Sequence, residues 1–181
     1  MSYNCITLPV HGAGTCVYQK GGISAVAVLL EGYDSYLTDF ENPTEWNAAI
    51  AAGTVKLITD IKGEIPAPNE VNGENPLACG PDQILDGLTY ESKLKDFQVS
   101  EQNIEFYAKL NQIPAVGFVW YMCNSDVIDV IINQVRFASK LVTPMSNKEK
   151  RYFDVKVTAY VTVDNNGGLP TEYTAPSGIF S

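Results

Sequence analysis

The chain has 181 residues, of which 45% are hydrophobic and 18% are charged, so it is long enough for one globular domain with a buried core and is unlike a disordered segment. Twenty-one acidic residues against twelve basic ones give a formal net charge of −9. This balance argues against sequence-specific nucleic-acid binding, because phosphate contacts need clustered cations and the basic residues are scattered among acids along the chain. We predict a single domain over residues 1–181.

The N-terminus and the cysteines indicate where the protein is made. The first residues lack the basic start and apolar segment of a secretory signal, and no apolar run approaches the ~18 residues that would span a bilayer. The four cysteines are irregularly spaced and form no Cys-x-x-Cys pair, so we expect reduced thiols and no zinc site. The sequence therefore predicts synthesis in the cytoplasm and no membrane partner.

The N-terminal third of the chain is predicted to hold an arm, two strands and a helix. Residues 1–23 contain four glycines and little periodicity, which indicates an arm, and the apolar run 24–30 predicts a strand buried on both faces. Asn42-Pro43-Thr44-Glu45 supplies an N-cap, a proline at the first helical position and a glutamate that can close a capping box, so a short helix runs from there to Gly53. Alternation over 54–62 predicts one strand directly after it.

The segment 63–87 contains four prolines and four glycines and shows neither helical nor strand periodicity. We predict a long loop there. Its apolar residues, which include Ile65, Val71 and Leu77, argue against disorder and indicate a loop that folds against a neighbouring subunit.

The remainder of the chain is predicted to be mostly strand. Residues 88–99 alternate with a change of phase, which a bulge or bend near Asp96 would explain. The other predicted elements are a helix over 101–111, capped by Ser100, strands over 115–123 and 126–142, and a polar tail over 164–181 after an Asn-Asn-Gly-Gly turn.

The clearest strand is 152–163, in which twelve residues alternate between an apolar face and a mixed face. The mixed face carries Tyr152 and Tyr160, and a ring with a polar tip suits an interface. All these elements together predict a mainly β fold, an antiparallel β-sandwich or barrel with one or two short packed helices. The candidate subunit-interface residues are Ile65, Val71, Leu77, Tyr152 and Tyr160.

No motif in the sequence predicts catalysis or cofactor binding. His11 is the one histidine, and His11-Gly12-Ala13-Gly14 has no nucleophile elbow to accompany it as an oxyanion loop. Carboxylate pairs such as Asp126 with Asp129 lie in segments predicted to be exposed. We expect no catalytic, cofactor-binding or metal-binding residues and no enzyme activity.

The order of features over residues 40–163 resembles that of virion structural proteins of tailed bacteriophages, in particular tail-tube-type and ring subunits of crAss-like phages of gut Bacteroidetes. The likeness lies in the capped helix with Trp46 and Gly53, the strand entering Lys62-Gly63-Glu64-Ile65-Pro66, the long loop, and the helix motif Asn103-x-x-Phe106-Tyr107-x-x-Leu110 before an aromatic strand. The resemblance implies a subunit of the virion that forms a homo-oligomeric ring or tube with neighbouring virion proteins. An acidic lumen would let DNA pass without adhering.

Two alternatives stay open at the level of sequence. No long hairpin can be placed in the sequence, which leaves tube subunit, ring subunit and head-decoration protein all possible. A ligand-binding β-sandwich for carbohydrate is the second alternative, with Trp46, Trp120 and several tyrosines as stacking platforms.

Overall fold

The computed structural model describes residues 22–74, 83–113, 115–122, 126–146, 148–162 and 168–180. Within them the chain forms nine strands and two α-helices. The strands are β1 (Gly22–Leu29), β2 (Val55–Ile58), β3 (Ile61–Glu64), β4 (Ala67–Glu74), β5 (Gln83–Asp96), β6 (Ala115–Met122), β7 (Val127–Val142), β8 (Tyr152–Thr162) and β9 (Thr171–Thr174), and the helices are α1 (Pro43–Ala52) and α2 (Glu101–Leu110). The predicted N-terminal arm lies outside the described residues, except for Gly22 and Ile23, which begin β1.

Six strands close into an antiparallel barrel. They pair in the order β1, β3, β5, β8, β7, β6, and β6 pairs back with β1. A closed ring of pairing leaves no free edge among these six strands over the paired residues. The predicted mainly β, antiparallel fold with short packed helices is confirmed, and the pairing makes it a barrel.

The barrel has two apolar clusters, one inside it and one outside. The inner cluster contains residues from the alternating positions of every barrel strand, among them Val26, Phe118 and Val155. The outer cluster lies on the outward side of β1, β6 and the start of β7, where α1 and the segment before it cover residues such as Ala27 and Val119. Strand β1 is therefore buried on both faces, as the sequence predicts.

Helix α1 begins and ends as the sequence predicts. The Asn42 side chain accepts a hydrogen bond from the Thr44 N–H, and Gly53 ends the helix in the left-handed region. The predicted capping box is wrong, because Glu45 Oε2 instead accepts hydrogen bonds from the backbone N–H groups of Thr38 (2.7 Å) and Asp39 (2.9 Å).

The single strand predicted over 54–62 is interrupted. It divides into β2 and β3 at a turn where Asp60 has a φ of 56°. Both pieces still pair with the same edge of β1. The sequence does not reveal this turn, because no glycine marks it. Aspartate tolerates the left-handed region better than most residues, so Asp60 can occupy that conformation.

The long loop predicted over 63–87 is wrong in its described part. Strand β4 pairs with β5 along its whole length and so forms a hairpin, with a register shift that leaves Asp86 as an extra residue on β5. The hairpin escapes sequence analysis because β4 is polar on both faces and contains Pro68, which an edge strand tolerates. Residues 75–82, with Leu77, lie outside the described residues.

The change of phase near Asp96 marks the end of β5 and not a bulge. Asp96 is buried and accepts hydrogen bonds from Tyr107 Oη (2.8 Å) and the Gln98 N–H (2.8 Å). The Tyr107 ring packs on Phe153 with a centroid distance of 4.5 Å, so α2 is fixed against this end of the barrel. Burial, together with the Asp96 charge, raises the pKa of Tyr107.

The polar tail predicted over 164–181 is wrong for its described part, residues 168–180. Strand β9 pairs with β7, and Ile179 and Phe180 are buried. The Phe180 ring lies 5.1 Å from that of Trp46 and 5.5 Å from that of Tyr121. The C-terminal segment thus completes the outer cluster. Residues 163–167, which include Val163 at the end of the clearest predicted strand, lie outside the described part.

Candidate functional site

The hairpin of β4 and β5 extends past the barrel. Strand β8 pairs with β5 only from Gly87 onward, whereas β4 pairs with β5 back to Gln83. The residues of β5 before Gly87 and their partners on β4 therefore have no third strand beside them among the described residues. The other edge of β4, residues Ala67–Glu74, is paired with no described strand. Among the described residues, this is therefore an open sheet edge, with backbone donors and acceptors that no strand uses.

Two of the predicted interface residues, Tyr160 and Val71, meet at Gly87. The Tyr160 ring lies over this glycine so closely that a Cβ there would be 2.7 Å from it. The Tyr160 hydroxyl donates to Asp86 Oδ2 (3.0 Å), and this hydrogen bond raises the pKa of Tyr160. Val71 is the cross-strand partner of Gly87 on β4. These four residues, Val71, Asp86, Gly87 and Tyr160, form a patch that joins the base of the hairpin to the outer face of β8.

The other predicted interface residues lie apart from this patch. Tyr152 is at the opposite end of β8, about 26 Å away at the usual rise per strand residue, where its ring packs on Phe97 at 5.6 Å. Ile65 is 41% exposed in the link between β3 and β4. The structure therefore brings together two of the five candidates, leaves Tyr152 and Ile65 separate, and does not describe Leu77.

Positively charged side chains are concentrated on the outer face of β3, β5, β8 and β7. The spacing of these residues along the sequence does not show that they lie together. Residues that are directly opposite in register point to the same side of a sheet. This rule places six of the chain's twelve basic residues on one exposed surface, hereafter the basic face: Lys62, Lys93, Lys95, Arg136, Lys140 and Lys156. The expectation that the cations are scattered is wrong for the folded chain.

The opposite side of the barrel is acidic. Helix α1 and the segment before it overlie β1 and β6. Around the barrel, β1 lies three strands from β8, and β6 lies three strands from β5. This acidic segment, residues 31–45, carries five carboxylates and no basic residue: Glu31, Asp34, Asp39, Glu41 and Glu45. Hydrogen bonds from backbone N–H groups hold the pKa values of Glu41 and Glu45 below their usual range.

One pair of carboxylates escapes sequence analysis because its members are far apart in the chain. Asp129 on β7 lies directly opposite Glu172 on β9. Burial, and then the charge of Glu172, raises the pKa of Asp129 to about 6. The buried indole N–H of Trp120 approaches the Asp129 carboxyl and partly offsets this shift, without completing a hydrogen bond. Asp126, the partner considered for Asp129 from the sequence, is exposed and forms part of a cleft elsewhere.

Two open clefts lie near the surface. One, of about 430 Å³, is bordered by Asp126 and the C-terminal turn around Gly178. The other, of about 460 Å³, lies beside the basic face and is bordered by Arg136, Thr158 and Tyr160. The Asp129 and Glu172 pair lines neither of these two clefts, so they do not combine a substrate-sized space with this pair of carboxylates.

The two tryptophans do not serve as stacking platforms. Trp46 is 0% exposed and donates its indole N–H to the Phe40 carbonyl, and Trp120 is 2% exposed inside the barrel. The carbohydrate-binding alternative loses its two tryptophans and keeps its tyrosines, of which Tyr36 is 47% and Tyr160 37% exposed. The described residues contain no cluster of three or more His, Cys, Asp or Glu side chains placed to hold a metal ion. Neither described helix is long and apolar enough to cross a membrane.

Comparison of the chain with protein-family models, curated proteins and solved structures gives no match.

Proposed function

We propose that this chain is a non-enzymatic virion subunit that self-assembles into a ring or tube of a phage tail or connector and forms a conduit for DNA. The observation that carries the proposal is the edge of β4 that no described strand pairs with, beside a barrel whose six strands close on themselves. A strand edge of eight residues is a template for pairing with another chain.

Repeated copies require two different surfaces on each copy. The patch around Tyr160 lies on the side of the barrel that the described residues leave uncovered, and the acidic segment lies over β1 and β6 on the other side. A surface that meets a different surface on the next copy generates a ring or a filament. The hairpin of β4 and β5 extends past the barrel, and an extended element of this kind supports the proposal because it could reach a neighbouring copy.

The edge has features that select its partner. Pro68 lacks a backbone N–H, and Glu70 adds negative charge to β4. Such residues discourage pairing with arbitrary strands, and a matched neighbour can still accommodate them. A ring of subunits with a net charge of −9 each would repel duplex phosphates and so let DNA pass without holding it.

The test is the mass of the purified chain at micromolar concentration, together with negative-stain images. We expect multimers with ring or tube outlines. Val71→Lys, which places a charge on the open edge strand, should leave a folded monomer, whereas Gln102→Lys on the exposed side of α2 should assemble normally. A wild-type chain that remains monomeric at every concentration contradicts the proposal.

A further inference from the structure

The basic face places like charges directly beside each other. The register places Lys62 opposite Lys95 and Lys93 opposite Lys156. Like charges directly opposite each other destabilise a sheet. The chain has a large excess of acids, yet two lysine pairs stand side by side on adjoining strands of this face.

Only part of this positive charge is neutralised within the chain. Lys156 Nζ lies 2.9 Å from Glu91 Oε1, and Lys140 Nζ lies 3.6 Å from Asp154 Oδ2. Lys93 and Arg136 are exposed and form no ion pair with any described residue.

The remaining two lysines of the basic face lie against aromatic rings. Lys62 Nζ is 5.9 Å from the Phe97 ring and Lys95 Nζ is 5.1 Å from the Tyr152 ring, distances at which a cation and an aromatic ring attract each other. The face spans four strands, or about 14 Å, and charges this close act together at physiological salt because the Debye length is ~8 Å.

The acidic segment, residues 31–45, is the complementary surface. It lies on the far side of the barrel, over β1 and β6, and bears five carboxylates with no cation between them. Its side chains at Glu31, Asp34 and Asp39 are exposed. Two surfaces of opposite charge on opposite sides of one subunit cannot meet within that subunit, but they can meet between successive copies.

We infer that the basic face of one copy docks against the acidic segment of the next copy, in a head-to-tail contact. The inference rests on the proposed self-assembly and specifies which surfaces meet. A protein partner fits this face better than a nucleic acid does, because Glu91 and Asp154 are interspersed with the cations and would repel phosphates. Tyr152 and Phe97, at one end of the face, add an apolar contact.

The experiment uses two charge-reversed full-length chains. The first carries Lys93→Glu and Arg136→Glu on the basic face, and the second carries Glu31→Lys and Asp34→Lys on the acidic segment. Each alone should need a concentration on the order of 100-fold higher to assemble, because like-charged surfaces then face each other. An equimolar mixture of the two should assemble at the wild-type concentration, since every basic surface again meets an acidic one.

A matched control separates this contact from net charge. Lys56→Glu with Lys109→Glu changes the charge by the same amount at described positions away from the basic face and should assemble like the wild type. If the basic-face variant assembles as well as this control, the inference is overturned while the proposed self-assembly stands. If the basic-face variant loses only retention of a duplex DNA probe, the occupant is nucleic acid and the inference is overturned. A monomeric wild type overturns both proposals.

Discussion

The two sides of the barrel are built differently. On the side of β1 and β6 the outward residues are covered by α1, the acidic segment and the C-terminal turn, and β1 is buried on both faces. On the side of β5 and β8 the buried side chains are the inward ones, and lysines, Glu91 and Tyr160 lie on the outside. The described residues thus provide a second layer for one half of the barrel and leave the other half bare. Under the proposed self-assembly, the bare half carries the patch around Tyr160 and the basic face.

The largest expected effect tests the covered side. Trp46→Ala removes a fully buried ring, its hydrogen bond to the Phe40 carbonyl (2.8 Å) and its packing on Phe180. We expect a loss of about 3–5 kcal/mol in the free energy of unfolding. Tyr152→Ala, on the bare side, should cost about 1 kcal/mol. Denaturant unfolding measures both, and equal losses would remove the distinction between the two sides.

Two glycines give a matched pair of smaller changes. A Cβ on Gly117 would lie 2.7 Å from Leu29 Cδ1 and 3.1 Å from the Ile131 carbonyl oxygen, in the covered region. A Cβ on Gly87 would meet only the far end of the Tyr160 ring, which can swing outward. Gly117→Ala should therefore cost about 1–3 kcal/mol, whereas Gly87→Ala should cost about 1 kcal/mol, chiefly the hydrogen bond to Asp86. A larger cost at Gly87 would show that its surroundings are as rigid as those of Gly117.

The pair Asp129 and Glu172 predicts a dependence of stability on pH. Because the folded pKa of Asp129 is raised to about 6, the folded state binds more protons than the unfolded state between about pH 4 and 6, and this group's contribution to stability falls as the pH rises through that window. Asp129→Asn should stabilise the protein at pH 7 by about 1 kcal/mol, after discounting for solvent screening, and should have less effect at pH 4. Unfolding midpoints at the two pH values measure this. A pH-independent difference would mean that the carboxyl is not perturbed.

The smallest effect concerns the ion pairs on the bare side. Lys156→Ala breaks the 2.9 Å contact with Glu91 but also removes the repulsion between Lys156 and Lys93, which faces it on β5. We expect a change in unfolding free energy of less than about 1 kcal/mol, of either sign. A loss of several kcal/mol would indicate that the basic face is a structural network of the subunit and not a surface open to a partner.

Local sequence patterns are sufficient to predict a strand whose side chains alternate and a helix whose ends carry capping residues. Strand β8 follows from twelve alternating residues, and α1 follows from Asn42, Pro43 and Gly53. Strand β4 does not, because an edge strand beyond the core has no apolar face to reveal it.

The candidate site depended more heavily on three-dimensional register. The sequence offers Tyr160 and Val71 as candidate interface residues, but it does not predict that they meet at Gly87. The basic face is formed by residues as distant in sequence as Lys62 and Lys156, which only the pairing of strands brings together. The carboxylates of Asp129 and Glu172 are adjacent for the same reason.

The most direct test of the account is the oligomeric mass of Tyr160→Glu beside that of the wild type and of Ile104→Glu, a comparably exposed position on α2 (43% against 37%). Light scattering after size exclusion gives the mass, and thermal unfolding shows whether each chain is folded. We expect multimers for the wild type and for Ile104→Glu, and a folded monomer for Tyr160→Glu. Multimers of unchanged mass in Tyr160→Glu would show that the bare side of the barrel is ordinary solvent-facing surface.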